Sequence, residues 1–245
     1  MMDTNKGEMT IEEKNAPSDS EKEIVDSNNT ATNNNVNIGD TVNYKVTITA
    51  KKGAATLKLV DTMDAGLTFG NAVTVTKDGA PLAAGTDYEL VTSGIDGTFE
   101  VVFTGILPLT ADSTIVVEYS AVVNENAKID EPNKNTASLK YGDNYEIESA
   151  PDTTETFSFD IDVFKYTGDA DNKTGLADAE FELKCGDKVL TFTANGSTYL
   201  YDTESTNTTL KSGSDGYFYV DGLKAGTYTL TETKAPQAHH HRDRK

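Results

Sequence analysis

The chain has 245 residues, 36% of them hydrophobic, with no Trp, 11 Tyr and 9 Phe, enough for one large or two ordinary domains with their own cores. Its 40 acidic residues outnumber the 21 basic ones, a net charge of -19, and such a surface repels nucleic acid and anionic membranes. A single cysteine, Cys185, excludes an internal disulfide framework, and no stretch has the length and apolarity of a membrane span.

Residues 1–20 are polar and aperiodic and read as a disordered lead-in. From 21 to 148 the pattern is that of short strands separated by turns. Val42, Tyr44, Val46 and Ile48 alternate with Asn43, Lys45 and Thr47, as in a half-buried strand. Further strands are expected at 56–61, 73–76, 98–104, 114–123 and 136–141, with turn chemistry at Lys77-Asp78-Gly79 and at Tyr141-Gly142-Asp143-Asn144. The polar run DNYEIESAPDTTE, carrying Pro151, supplies a linker at 149–156.

A second β region spans 157–236. It opens with Phe157, Phe159, Ile161 and Val163 in alternation, and continues with strands expected at 179–184, 189–193, 216–220 and 227–232. Cys185 extends the alternation of Ala179, Phe181 and Leu183 and reads as a small buried hydrophobe. The expected fold is all-β: two tandem β-sandwiches, with no helix longer than a turn.

Several polar residues fall where strand period two expects a core side chain. Lys22 shares a face with Ile24, Asp61 with Leu57 and Leu59, and Asn135 with Ala137, Leu139 and Tyr141. In the second region Lys165 continues the apolar face that ends at Val163, and Glu232 continues Tyr228 and Leu230. Lys45, Lys58 and Lys140 point the other way, towards solvent. Taken singly, a lysine at a strand end snorkels to water and an aspartate there begins a turn. Taken together, Lys, Asp, Asn, Lys and Glu match one chemistry. A neutral buried amine attacks a carboxamide carbon and ammonia leaves, while a protonated carboxyl polarises the carbonyl and moves protons. A dry core lowers the lysine pKa and raises that of the acid, as both roles require.

At these residues the sequence resembles known families. GDTVNYKVTIT, LVDTMDAGLTF and NTASLKY are similar to the fimbrial isopeptide-forming domain of Gram-positive pilins. FDIDVFKY, LADAEFELK and GYFYVDGLKAGTYTLTETKAP resemble the SpaA-like collagen-adhesin B-type, prealbumin-like domain. The first resemblance implies that Lys22 bonds to Asn135 with Asp61 as the catalytic acid; the second gives the lysine and glutamate roles to Lys165 and Glu232. The family's last strand, with its acceptor Asn or Asp, follows ETKAP. Here 237–245 reads as a non-family tail and no Asn lies beyond Asn207, so the second crosslink lacks its usual partner, and the half-domain reads as an acceptor for an added strand.

Other chemistry finds little support. His239, His240 and His241 are consecutive, which gives no dispersed metal site or His-based triad. The loop from Asp169 to Gly175 lacks the bidentate glutamate of a calcium loop, and no phosphate-binding glycine loop is present. No cofactor is expected. Lys14 stands eight residues before Lys22, roughly where major pilins carry the polymer-linking lysine, but Met9-Thr10-Ile11-Glu12-Glu13 replaces the expected context.

The N-terminus lacks the apolar core of a signal peptide and the C-terminus a wall-sorting signal. That fits a cytosolic protein or a piece of a secreted one, and the resemblance favours the second. The expected function is a non-enzymatic stalk or shaft module of a cell-surface pilus or wall-anchored adhesin, partnered by other surface subunits. The alternative is an adhesive module for host matrix protein, which a cluster of exposed aromatics on loops would favour; none stands out in the sequence.

Overall fold

The computed structural model describes residues 18–26, 29–95, 97–169 and 171–236. Lys14, the three histidines and the expected tail at 237–245 lie outside the described residues. So does the lead-in as far as residue 17, whereas Asp19 and Ser20, expected to belong to it, already form the first strand.

The chain opens with β1 (Asp19–Asp26), β2 (Asn29–Ala31), β3 (Asn33–Asn35) and β4 (Thr41–Ala50). Next come β5 (Leu57–Met63), β6 (Leu67–Lys77), β7 (Ala80–Pro81), β8 (Tyr88–Val91) and β9 (Phe99–Phe103). β10 (Ser113–Val123), β11 (Asn133–Tyr141), β12 (Ile147–Glu148) and β13 (Asp152–Phe157) complete the first domain. One sheet runs β2-β1-β4-β10-β6-β7, the other β3-β13-β11-β5-β9-β8 with β12 beside β11. Among the described residues the helical structure is one 3₁₀ turn, Asp143–Tyr145.

The sheets meet face to face because each strand sends alternate side chains inward. β4 buries Val42, Tyr44, Val46, Ile48 and Ala50, and β10 buries Ile115, Val117, Tyr119, Ala121 and Val123. From the other sheet come Leu57 and Leu59 of β5, Phe99, Val101 and Phe103 of β9, and Ala137, Leu139 and Tyr141 of β11.

The stretch 149–156, expected as a linker, is not one. Its residues from Asp152 onward pair with β11 along five register positions, Asn133↔Thr156 to Ala137↔Asp152. β13 is hard to see in sequence because its inward residues are Thr154 and Thr156, each 1% exposed. A threonine-lined face carries no hydrophobic alternation. The first sandwich therefore reaches Phe157, and the second begins at Phe159.

The second domain contains β14 (Phe159–Phe164), β15 (Tyr166–Thr167), β16 (Thr174–Gly175), β17 (Glu180–Cys185) and β18 (Lys188–Val189). It continues with β19 (Phe192–Asn195), β20 (Thr198–Tyr201), β21 (Leu210–Lys211), β22 (Tyr217–Leu223) and β23 (Tyr228–Lys234). One sheet is β14-β22-β20-β19; the other is β18-β17-β21 with β23 along β17, and β15-β16 form a small hairpin. Phe181, Leu183, Phe192, Phe218 and Val220 fill the core, against which Cys185 is half-buried. β14 and β23 are both sheet edges, so Ile161 and Val163 are only partly buried and Leu230 stays 37% exposed.

The domains are joined by backbone, not by a flexible tether. Val36 N–H donates to Phe157 O (3.0 Å) and Ile38 N–H to Gly222 O (2.9 Å). The Ser158 hydroxyl donates to Val36 O (2.8 Å), and the amides of Lys224 and Ala225 donate to Asn37 Oδ1 and Asn35 Oδ1, both at 3.0 Å. Gly222 is required here, since its φ is +84 and a Cβ would meet Ile38 Cδ1 at 2.8 Å. Gly222→Ala is expected to destabilise the second domain by roughly 1 kcal/mol or more and to speed proteolytic cleavage near Ser158. Urea titration and limited proteolysis measure both, and adding Ile38→Ala should recover the contact portion alone.

Candidate functional site

Lys22 lies mid-strand in β1, opposite Val46 of β4, and its backbone N–H is fixed by Asp152 Oδ2 of β13 at 2.7 Å. Asp61 sits on β5 between Ala137 of β11 and Phe99 of β9. Asn135 sits on β11 between Met63 and Thr154. Strand period two turns all three into the sandwich, where Lys22 is 1%, Asp61 0% and Asn135 0% exposed. Lysine, aspartate and asparagine, distant in sequence, thus meet between the two sheets.

Lys22 Nζ donates to Asp61 Oδ2 at 2.6 Å and to the Tyr119 hydroxyl at 2.6 Å. Tyr119 donates to the same Asp61 Oδ2, and Asn135 Nδ2 donates to the Tyr119 oxygen at 3.4 Å. Among the described residues, Asp61 Oδ1 and Asn135 Oδ1 are buried without a hydrogen-bond partner. The amine lies 5.3 Å from the ring centroids of both Tyr44 and Tyr119, which stack on each other, while Phe99 packs edge-on against Tyr119. Asn133, two residues along the same face, differs: its Oδ1 accepts from Lys128 N–H (2.9 Å) and its Nδ2 donates to Lys128 O (3.1 Å). One buried asparagine is bonded at both ends; the other keeps a free carbonyl oxygen among titratable groups.

Burial pushes the Lys22 amine below its usual range, against the opposing pull of Asp61. Burial likewise pushes the Asp61 carboxyl up, against the pull of Lys22 and Tyr119. Both shifts favour the uncharged forms, because two charges taken out of water recover little of their hydration. A neutral amine beside a protonated carboxyl is the arrangement that nucleophilic attack on an amide needs. Tyr44 is pushed up to about 12 by burial.

The sequence pattern turned Lys22, Asp61 and Asn135 inward, where the structure buries them, but gave no sign that Tyr119, Tyr44 and Asp152 contact them. The two tyrosines alternate with polar residues on β10 and β4 and read as core aromatics. The available signal was chemical, since a phenol buried mid-strand needs a partner for its hydroxyl.

The second pair differs in environment. Lys165 Nζ and Glu232 Oε2 are 2.9 Å apart, as the shared face predicts, but their side chains are 26% and 32% exposed. The expected buried amine is therefore corrected to a half-exposed ion pair, because Lys165 and Glu232 bridge two sheet edges that nothing among the described residues covers. The turn at Asp169 is closed by Asn172 N–H donating to Asp169 Oδ1 (3.1 Å), and among the described residues no cluster suited to a metal ion occurs.

Residues 38–145 match the family model of the Gram-positive pilin backbone subunit 2, Cna-B-like domain, and residues 163–245 that of the SpaA prealbumin-like fold domain. The chain carries a pilin backbone domain followed by a SpaA domain. The pilin-domain match takes in Asp61 and Asn135 and begins after Lys22, which is placed by the sheet geometry; the SpaA match takes in Lys165 and Glu232. No curated protein matches the sequence.

Among solved structures, the chain is similar to the 35 kDa C-terminal fragment of the major pilin GBS80 of Streptococcus agalactiae (TM-score 0.69, 18% identity, 91% of this chain and 87% of that one). It is similar to the pilus backbone RrgB from Streptococcus pneumoniae (0.68, 17%, 91% and 90%). It also resembles BcpA, the major pilin subunit of Bacillus cereus (0.61, 20%, 90% of this chain and 60% of that one). At these identities the likeness establishes the fold, and it extends over both the pilin domain and the SpaA domain.

The exposure of Lys165 and Glu232 fixes what their contact is worth. A double-mutant cycle of Lys165→Ala and Glu232→Ala is expected to give a coupling below about 1 kcal/mol in denaturant unfolding of the SpaA domain. A coupling of several kcal/mol would place the pair in a dry environment instead.

Proposed function

We propose that this chain belongs to the shaft of a Gram-positive pilus or the stalk of a wall-anchored adhesin, and that its first sandwich crosslinks itself through Lys22 and Asn135. The observation that carries this reading is the burial of Lys22, Asp61 and Asn135 in one hydrogen-bonded cluster between the two sheets. Lys22 Nζ attacks Asn135 Cγ, the Asp61 carboxyl polarises the amide carbonyl, and ammonia departs. The free Oδ1 atoms of Asp61 and Asn135 support a protonated Asp61, since only a proton turns one of two orphaned acceptors into a donor. The reaction is a single intramolecular turnover that consumes its own residues, so the chain acts as a structural element of the cell surface, not as an enzyme. Its partners are other subunits of the same structure. The half-exposed Lys165 and Glu232 lack the dry setting of the first site, so the crosslink forms between Lys22 and Asn135 alone.

The intact mass of the folded protein should be about 17 Da below the sequence mass, one ammonia. Asp61→Ala and Lys22→Ala should each abolish the loss; an unchanged mass in folded wild-type protein refutes the crosslink. The bond closes a loop of roughly a hundred residues, worth about 4–5 kcal/mol by chain entropy, so Asp61→Ala should lower the unfolding midpoint of the first domain by many degrees. The rate of mass loss should fall on both sides of an optimum pH. Acid protonates the amine despite its depressed pKa, and alkali removes the Asp61 proton despite its raised pKa.

One observation favours an adhesive module for host matrix protein as a second reading. Tyr166, Phe164, Tyr217 and Tyr219 stack in a row on the outer face of the second domain, and the three tyrosines are 36–41% exposed. Exposed aromatics in a row are common anchors of protein interfaces. Solid-phase binding to matrix proteins, lost on Tyr217→Ala and Tyr219→Ala, tests it.

A further inference from the structure

Tyr119 occupies a position that the crosslinking chemistry described so far leaves unused. β10 is the central partner of β4 and β6, so the tyrosine backbone is held on both sides. Its ring is fixed by stacking on Tyr44 (5.3 Å), by the edge contact with Phe99 (4.9 Å) and by a further edge contact with Phe69 (6.2 Å). That leaves the hydroxyl, whose single oxygen touches three groups: the nucleophile Lys22 Nζ at 2.6 Å, the acid Asp61 Oδ2, and the leaving nitrogen Asn135 Nδ2 at 3.4 Å. Asp61 Oδ2 is already engaged by Lys22 and Tyr119, and among the described residues no hydrogen bond joins Asp61 to Asn135 Nδ2.

Crosslinking moves one proton from amine to ammonia. The Nζ lone pair forms the new bond to Asn135 Cγ, the carbonyl oxygen takes the Asp61 proton, and Nζ is left with a proton too many. When the carbonyl re-forms and returns that proton to Asp61, the pair of electrons in the Cγ–Nδ2 bond leaves on Nδ2, which needs one proton more to depart as ammonia. We propose that Tyr119 is a catalytic residue of this reaction: its hydroxyl accepts the proton from Lys22 Nζ and passes its own to Asn135 Nδ2. The tyrosine ends as it began, and amine plus carboxamide become secondary amide plus ammonia. In the resting site the hydroxyl donates to Asp61; it turns to Nδ2 once that nitrogen becomes tetrahedral and gains a lone pair. Burial and the adjacent Asp61 hold the Tyr119 hydroxyl well above the usual tyrosine range, so it exchanges protons instead of ionising. This inference rests on the Lys22–Asn135 crosslink.

The test uses full-length chain recovered unfolded from inclusion bodies and refolded, with intact mass followed over time. Wild type should lose about 17 Da, one ammonia. Tyr119→Phe keeps the ring and removes the oxygen. It should fold, as judged by circular dichroism and cooperative unfolding, yet lose the mass about 10²–10⁴-fold more slowly. Tyr88→Phe, which removes another phenol of the same core (its hydroxyl donates to Val73 O at 3.5 Å), should react at the wild-type rate. A wild-type rate in Tyr119→Phe overturns the relay and leaves the crosslink standing; no loss in wild type overturns both. A second readout does not depend on the variant. The wild-type rate in mixtures of light and heavy water should bow downward with deuterium content, as two protons in flight require, and a straight line overturns the relay.

Discussion

Everything in the first sandwich is arranged around one costly act, the placement of a lysine amine in a dry core. An ammonium ion moved from water to such a site loses hydration worth several kcal/mol, and the fold meets that cost in three ways. A carboxyl from the opposite sheet lies 2.6 Å away, two aromatic rings flank the amine, and burial favours the neutral form of both ionisable partners. The sheet order makes that placement possible. With β1 beside β4, Lys22 looks across at β5 and β11, and Asp152 of β13 pins the Lys22 backbone from the other side.

The two candidate sites differ through what covers them, although their chemistry in sequence is similar. Lys22 lies under a second sheet, with β13 closing the flank. Lys165 lies at a seam between two sheet edges, where Ile161, Val163 and Leu230 keep part of their surface in water. The same lysine–carboxylate contact is therefore fully buried and pushed towards its neutral forms in one domain, and a half-exposed, solvent-screened ion pair in the other. Charge and distance alone do not separate them; the local dielectric does.

How much was legible in the sequence follows from this. Period two is a property of the strand itself, so the inward direction of Lys22, Asp61 and Asn135 was readable, as was the shared face of Tyr228, Leu230 and Glu232. The burial of Lys165 was not readable, because it depends on a neighbouring strand and not on Lys165's own. β13 was missed because Thr154 and Thr156 face inward without being apolar, so its sequence resembles a polar linker. Tyr119 was visible as a core residue but not as the meeting point of Lys22, Asp61 and Asn135. That contact depends on three side chains from three other strands converging on one oxygen, and no spacing along the chain encodes it.

The joint at Ser158 bears on more than the orientation of the two domains. Segment 35–38 caps the second domain's turn at 222–225 and continues β3, the short edge strand that runs parallel to β13. β13 in turn is the neighbour that keeps β11, and with it Asn135, away from the rim of its sheet. Edge strands open first when a sheet breathes. Docking of the second domain is therefore expected to damp fraying at β3 and, through β13, to slow the exchange of solvent isotope into the amides around Asn135.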